Sequence, residues 1–397
     1  MRTLLALALT LVLSAFAFAQ SEQGDAAFLE RVYTTGSFGE EPVTEMVRSQ
    51  VPDAVLGAVV ASLKEIAGDV VSVTGEDGLY TLLTETHSIE ATLSRDGEGR
   101  VSGLRFAPPV VLAGDPDDIA ASVAELPGET AITIVMNNEM IAAHEPDRPL
   151  AVGSAFKLAV LAELDARIET GELRPEQVVR LSEEHRSLPS GILQNLPEGH
   201  PLTVASAARL MMLLSDNTAS DLLIALLGRK PIAKRLGIDD LLSTREFFVL
   251  KSKPELASAW NENPAGRNAI RSAVALAPLP SADGITPLTP GVEWYVPASR
   301  LCEIASGGLG SPFADALAGL ASPDEWDAVM QKSGSEIGVL NHTVAVRLGE
   351  QTGCVSATLN VEGGHDEADA VRLGGAVMAA LAAIRERMVE EDAVASP

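Results

Sequence analysis

A serine and a lysine three residues apart, Ser154 and Lys157, stand at the head of the apolar run AVGSAFKLAVL, Ala151–Leu161. In a helix that spacing puts both side chains on one face. A lysine in the first turn meets the positive end of the helix dipole, and Phe156, Leu158 and Val160 around it add a desolvation cost. Both effects favour the neutral amine. A neutral amine beside a hydroxyl is a general base beside a nucleophile. The plainer alternative is an N-cap serine followed by a surface lysine, although a capping box would put Glu or Gln at position 157.

Two further clusters stand downstream. Ser215-Asp216-Asn217 lies between two apolar helical stretches in LTVASAARLMMLLSDNTASDLLIALLG. Each of these three residue types is a favoured helix cap, so the cluster alone says little. Lys332-Ser333-Gly334 in MQKSGSEIGVLNHTVAV leads into a strand and alone reads as a solvated turn.

Taken together, S-x-x-K, S-D-N and K-T-G (here K-S-G) form an ordered signature. On these residues, and on the wider stretches LMMLLSDNTASDLL and QKSGSEIGVLNHTVAV, the chain from about residue 115 to 390 resembles a class A β-lactamase-type serine hydrolase of the penicillin-recognising superfamily. The resemblance implies roles. Ser154 is the acylated nucleophile, Lys157 helps deprotonate it, and Ser215 relays a proton to the leaving atom. Asn217 holds the substrate amide. Lys332, with Ser333 and Gly334 beside it, faces a substrate carboxylate. The backbone N–H groups of Ser154 and Ser335 form the oxyanion hole. Ser333 in place of threonine keeps the hydroxyl and loses a methyl.

One part of the pattern is missing. The family's E-x-x-L-N loop, whose glutamate activates the water that frees the enzyme, has no match. Glu246 is followed at plus three and plus four by Val249 and Leu250, and Glu255 by Ser258 and Ala259. Glu246 is expected to pair with a basic residue at the surface, and Phe247 and Phe248 to be core. Acylation should therefore outpace release, with weak β-lactam turnover. The expected substrates are a β-lactam, an ester or a cell-wall-like amide; the alternative is an inert protein that binds peptidoglycan or β-lactams.

The elements that must carry these residues follow from periodicity. A helix over about 116–125, strands over AITIVMNN and near Met140–His144, an all-helical middle (154–169, 203–214, 218–227 and parts of 254–322), strands near 338–348 and 352–361, and a helix at 366–389 imply a sheet built from both ends of the chain. Before Pro108-Pro109 and GDPDD, helices at 28–33 and 51–67 precede an alternating meander with GEDG and RDGEG turns, an α+β unit over about 24–112. That layout resembles a cystatin or steroid-isomerase-type cone. With the missing loop, it makes the whole chain similar to the two-domain group of the clavulanic acid cluster cephalosporin-esterase-like proteins. Within the first unit, Glu85, His87 and Asp96 read as ordinary polar residues of a half-solvated sheet.

Composition narrows the partners. With 29 Lys+Arg against 55 Asp+Glu, the net charge of −26 disfavours nucleic acid and anionic membranes. MRTLLALALTLVLSAFAFAQ reads as an export signal over residues 1–19, ending in Ala17-Phe18-Ala19, so a periplasmic or extracellular protein without a membrane segment after cleavage is expected. Cys302 and Cys354 could pair there or stay as buried thiols. No H-E-x-x-H is present and two cysteines are too few for a zinc site, so neither metal nor cofactor is expected. Ser154 is flanked at 152 and 156 by Val and Phe, not by the glycines of a G-x-S-x-G elbow, which leaves His185, His200 and His342 without a triad role.

Overall fold

The computed structural model describes residues 24–84, 87–111, 114–281, 284–314 and 319–395, so the export signal and Glu85 lie outside the described residues. Two compact units divide after residue 112.

The first unit opens with helix α1 (24–35), followed by α2 (Glu45–Gln50) and α3 (Asp53–Ala67). An antiparallel meander follows: β1 (Val70–Glu76), β2 (Leu79–Thr84), β3 (His87–Arg95) and β4 (Val101–Phe106), with β5 (Val110–Val111) paired to β3. β3 shows why it forms: Ile89, Ala91 and Leu93 alternate inward, where they join Phe28, Val32 and Tyr33 of α1 and Leu56 and Val60 of α3 in one core. α2 was not expected; Thr44 starts it by accepting a bond from Val47 N.

The second unit begins with α4 (Pro116–Ala124), β6 (Glu129–Met136), β7 (Glu139–His144) and the short β8 (Leu150–Ala151). A 3-10 turn, Gly153–Phe156, runs directly into α5 (Lys157–Glu169). Next come β9 (Val178–Arg180), β10 (Pro201–Thr203), α6 (Val204–Leu213), α7 (Asn217–Leu227), α8 (Arg229–Leu236), α9 (Thr244–Lys251), α10 (Pro254–Glu262) and α11 (Arg267–Leu276). The chain closes with β11 (Tyr295–Val296), α12 (Ala298–Gly307), β12 (Ala328–Glu336), β13 (Val339–Leu348), β14 (Gln351–Asn360) and α13 (Glu367–Ala395).

The sheet has the order β12-β13-β14-β6-β7, every pairing antiparallel, so it does draw on both ends of the chain. β14 is buried along nearly its whole length, as a strand covered on both faces must be. Successive residues show the two covers. A side chain at Gly353 would strike Ile384 and Met388 of α13, whereas Cys354 points the other way and is bonded to Cys302 of α12.

Two sequence expectations need correction. The middle is not all-helical: β9 pairs with β10, and β8 with β11. Lys332-Ser333-Gly334 does not precede a strand; it lies inside β12, the edge strand of the sheet.

Candidate active site

Three long-range ties set the start of α5. Asn360, the last residue of β14, accepts from Ala151 N at 2.8 Å and donates to Ala151 O at 2.9 Å. Val152 N donates to Trp294 O at 3.1 Å. The Trp294 ring stacks on Phe156 at 4.2 Å and on Phe247 at 4.3 Å. Phe247 and Phe248 are core residues, as expected. Ser154 thus sits in a turn held on both sides, and its hydroxyl makes no hydrogen bond among the described residues. It is not a helix cap; Phe156 occupies that position.

β12 meets this turn edge-on. Gly334 is pressed so close that a methyl group there would lie 1.9 Å from Val152 O and 2.7 Å from Ser154 N. A methyl at Gly153 (φ +49°) would reciprocally lie 3.3 Å from Ser335 N. Glycine at both positions is a steric requirement, and it brings the backbone nitrogens of Ser154 and Ser335 to one junction. The burial pattern of β12 alternates, with Lys332 and Gly334 buried and Ser333 and Ser335 exposed.

The Lys157 side chain is fully buried. Its Nζ contacts Ser215 O at 2.5 Å, Ser215 Oγ at 3.1 Å and Asn217 Oδ1 at 2.7 Å. Burial, and after it the charge of Lys332, push its pKa well below the ordinary lysine value, against the pull of Asp221, Asp216 and Glu336. Lys332 is itself buried, and desolvation lowers it to about 8. Its Nζ donates to Ser333 O at 2.9 Å.

Ser215 is a non-glycine residue at φ +52°, a left-handed conformation that costs roughly 1–2 kcal/mol. Its surroundings hold it there. Ser190 Oγ donates to Ser215 O at 2.6 Å, Asn217 N donates to Ser190 O, and Asn217 Nδ2 donates to Leu188 O at 3.0 Å. Asp216 is buried and caps α7 through Ala219 N at 2.9 Å, while its other oxygen accepts from Ile192 N at 2.7 Å and Leu193 N at 2.9 Å. That clamp needs Gly191 (φ +98°), because a methyl there would overlap the Asp216 carboxylate.

Ser333, on the exposed face of β12, has a side-chain partner. Its hydroxyl pairs with His342 Nδ1 at 2.8 Å across the β12–β13 ladder. Desolvation lowers the His342 pKa to about 4, so the ring is neutral at pH 7. His185 instead closes a local turn with Ser182.

Glu246 is not a surface residue. It is buried and accepts from Arg229 at 2.7 and 3.0 Å and also from Arg271, besides capping α9 with Ser243. Its oxygens are occupied by these partners.

Of the residues chosen from sequence, Lys157, Ser215 and Asn217 are joined by hydrogen bonds, Lys332 is near enough for its charge to act on Lys157, and Gly334 and Ser335 abut the backbone of the Ser154 turn. Residues 117–257, which include the S-x-x-K and S-D-N residues, match the model of the beta-lactamase enzyme family. The match covers about a third of the chain and lies within the second unit. Solved structures similar to the chain include a β-lactamase from Sphaerobacter thermophilus, at 17% identity over 68% of this chain and 97% of that one, with a TM-score of 0.47. A class A β-lactamase from Mycobacterium abscessus is 16% identical over 68% of this chain and 99% of that one, TM-score 0.46. PBP-A is 14% identical over 67% and 94%, TM-score 0.41. No curated protein matches the chain.

The second unit also holds residues that sequence reasoning missed. Asn360, Trp294, Ser190 and Gly191 all position the site, yet each acts across a long stretch of chain and belongs to no short motif.

Proposed function

We propose that the chain is an exported serine hydrolase that forms an acyl-Ser154 intermediate on a β-lactam, an ester or a peptidoglycan-like amide. The observation that carries this reading is the bonding of Lys157 Nζ to Ser215 Oγ and Asn217 Oδ1, one helical turn beyond Ser154, in surroundings that disfavour its charge. A neutral Lys157 takes the Ser154 proton as Oγ attacks the carbonyl carbon. The N–H groups of Ser154 and Ser335 receive the developing oxyanion. Ser215, bonded to Lys157, passes the proton to the leaving nitrogen or oxygen. Asn217 keeps one Nδ2 hydrogen for a substrate carbonyl, and Lys332 attracts a substrate carboxylate. Ser333 and Gly334 line the substrate side beside Lys332, with the Ser333 hydroxyl paired to His342.

β-Lactam release is weaker than with an E-x-x-L-N glutamate in this account, because Glu246 is committed to Arg229 and Arg271 and cannot take that glutamate's place. Esters, with better leaving groups, turn over more readily. The first unit is read as a cystatin or steroid-isomerase-like cone that does no chemistry of its own. Export rests on residues 1–19 alone; among the described residues no helix is long and apolar enough to cross a membrane.

Intact mass after incubation with a fluorescent penicillin and with an activated ester tests the reading. A Ser154 adduct with penicillin, or ester turnover lost in Ser154→Ala, is the expected result. Wild type and Ser154→Ala behaving alike with both reagents would leave the inert binding protein as the better account.

A further inference from the structure

We propose that Glu336, the last residue of β12, is the general base for the water that releases the acyl group from Ser154. The inference rests on the acyl-Ser154 reading above.

Placement comes first. Strand alternation puts Glu336 on the same face of β12 as Lys332 and Gly334, two residues beyond the glycine that abuts Ser154 N. It follows Ser335 directly, so it flanks the junction where the acyl carbonyl would lie. Its side chain is 18% exposed, partly sheltered yet open to water.

The second observation is its charge environment, which comes from three other elements. Lys251 Nζ of α9 lies 3.9 Å from Glu336 Oε2. Lys251 is fully buried and bonds Glu293 Oε1 at 2.6 Å, in the loop before β11. Lys251 stabilises the ionised Glu336 carboxylate and Glu293 opposes it, while Lys157, at the start of α5, adds to the stabilisation only when it is protonated. Burial outweighs these and lifts the carboxyl to about 7, where a base is both available and strong enough. Glu293 Oε2 is buried without a hydrogen-bond partner among the described residues, an acceptor that calls for a donor such as water.

The step balances with water as the sole co-reactant. The water oxygen adds to the ester carbon as its proton passes to the Glu336 carboxylate, and charge collects on the carbonyl oxygen. Collapse breaks the bond to Ser154 Oγ, which takes back the proton from Glu336. The products are a free acid and the serine hydroxyl.

Single-turnover kinetics of the full chain with a fluorescent penicillin and an activated ester, followed by intact mass, separate the possibilities. Glu336→Gln should acylate Ser154 within about threefold of wild type but hold the adduct at least 100-fold longer, the usual reach of general-base catalysis. Wild-type release should rise with pH through about 7, and this limb should vanish in Glu336→Gln. Glu336→Asp, which keeps the charge, should restore part of the release and serves if Glu336→Gln folds poorly. Equal adduct lifetimes in wild type and Glu336→Gln would overturn this assignment while leaving acyl-Ser154 intact. Equal slowing of acylation and release would also overturn it, as a structural effect. No adduct and no turnover in any protein would defeat the acyl-Ser154 reading itself.

Discussion

A neutral lysine is useful only if something near it has a proton to give; Lys157 bonds Ser215 Oγ at 3.1 Å and stands one helical turn beyond Ser154. Its pKa is depressed mainly because its ammonium form would be dry, and secondly because Lys332 is close. Lys332 is less depressed and keeps its charge up to about pH 8. The sign follows directly: a lysine is cationic below its pKa and neutral above it. For a substrate carrying a carboxylate, KM should therefore rise by roughly tenfold as pH passes upward through about 8, a loss of order 1.4 kcal/mol of attraction. A neutral ester of the same size should show no such rise. Parallel KM–pH profiles for the two would contradict the role of Lys332. These charged residues were legible in the sequence because each sits in a short motif. Glu246 was half legible: its arginine partners were foreseen in kind, but its burial was not. That burial depends on Arg271, 25 residues away, reaching the same carboxylate.

Elements place the nucleophile, and the contact that matters most is between an edge strand and a turn. β12 lies against Val152–Ser154 only because Gly334 has no side chain. Gly334→Ala should push the strand away and separate the two oxyanion N–H groups. Acylation should fall by about 10²–10³, the usual loss for one oxyanion donor, while circular dichroism shows a folded protein. Acylation within twofold of wild type would show that the junction is not needed. Helices with clean periodicity, such as α4 and α7, were readable in advance. The strands expected near 338–348 and 352–361 are β13 and β14, and β12 was missed, since Lys332, Ser333 and Gly334 are poor strand formers and one face of the strand is exposed. β8 and β11 are two residues each and pair across the helical middle, so no local pattern announces them. α8 was missed because its Arg and Lys residues hide a short apolar face of Ile232, Ala233 and Leu236.

At the scale of the molecule, the proposed serine hydrolase site is carried by a unit whose sheet joins strands from the two ends of that unit. The disulfide between Cys302 and Cys354 bridges a separation of 52 residues and ties α12 to the central strand β14. The sequence left that pairing open, because thiol proximity is a property of the fold. Chain entropy gives the bond about 4 kcal/mol of stability, so urea unfolding with and without reductant should differ by a few kcal/mol. Superimposable curves would mean the bond contributes nothing. The two-unit layout was visible at Pro108-Pro109 and GDPDD, whereas the purpose of the first unit was not, since its strand residues carry no motif. The account as a whole depends on an uncharged Lys157 drawing the proton from Ser154. The rate of Ser154 acylation by an activated neutral ester, measured by mass from about pH 8 down to about pH 5, tests this most directly. The account predicts a rate that falls as the amine is protonated, and a slow, pH-independent rate in Lys157→Met. A flat wild-type profile over that range, with Lys157→Met equally fast, would contradict it.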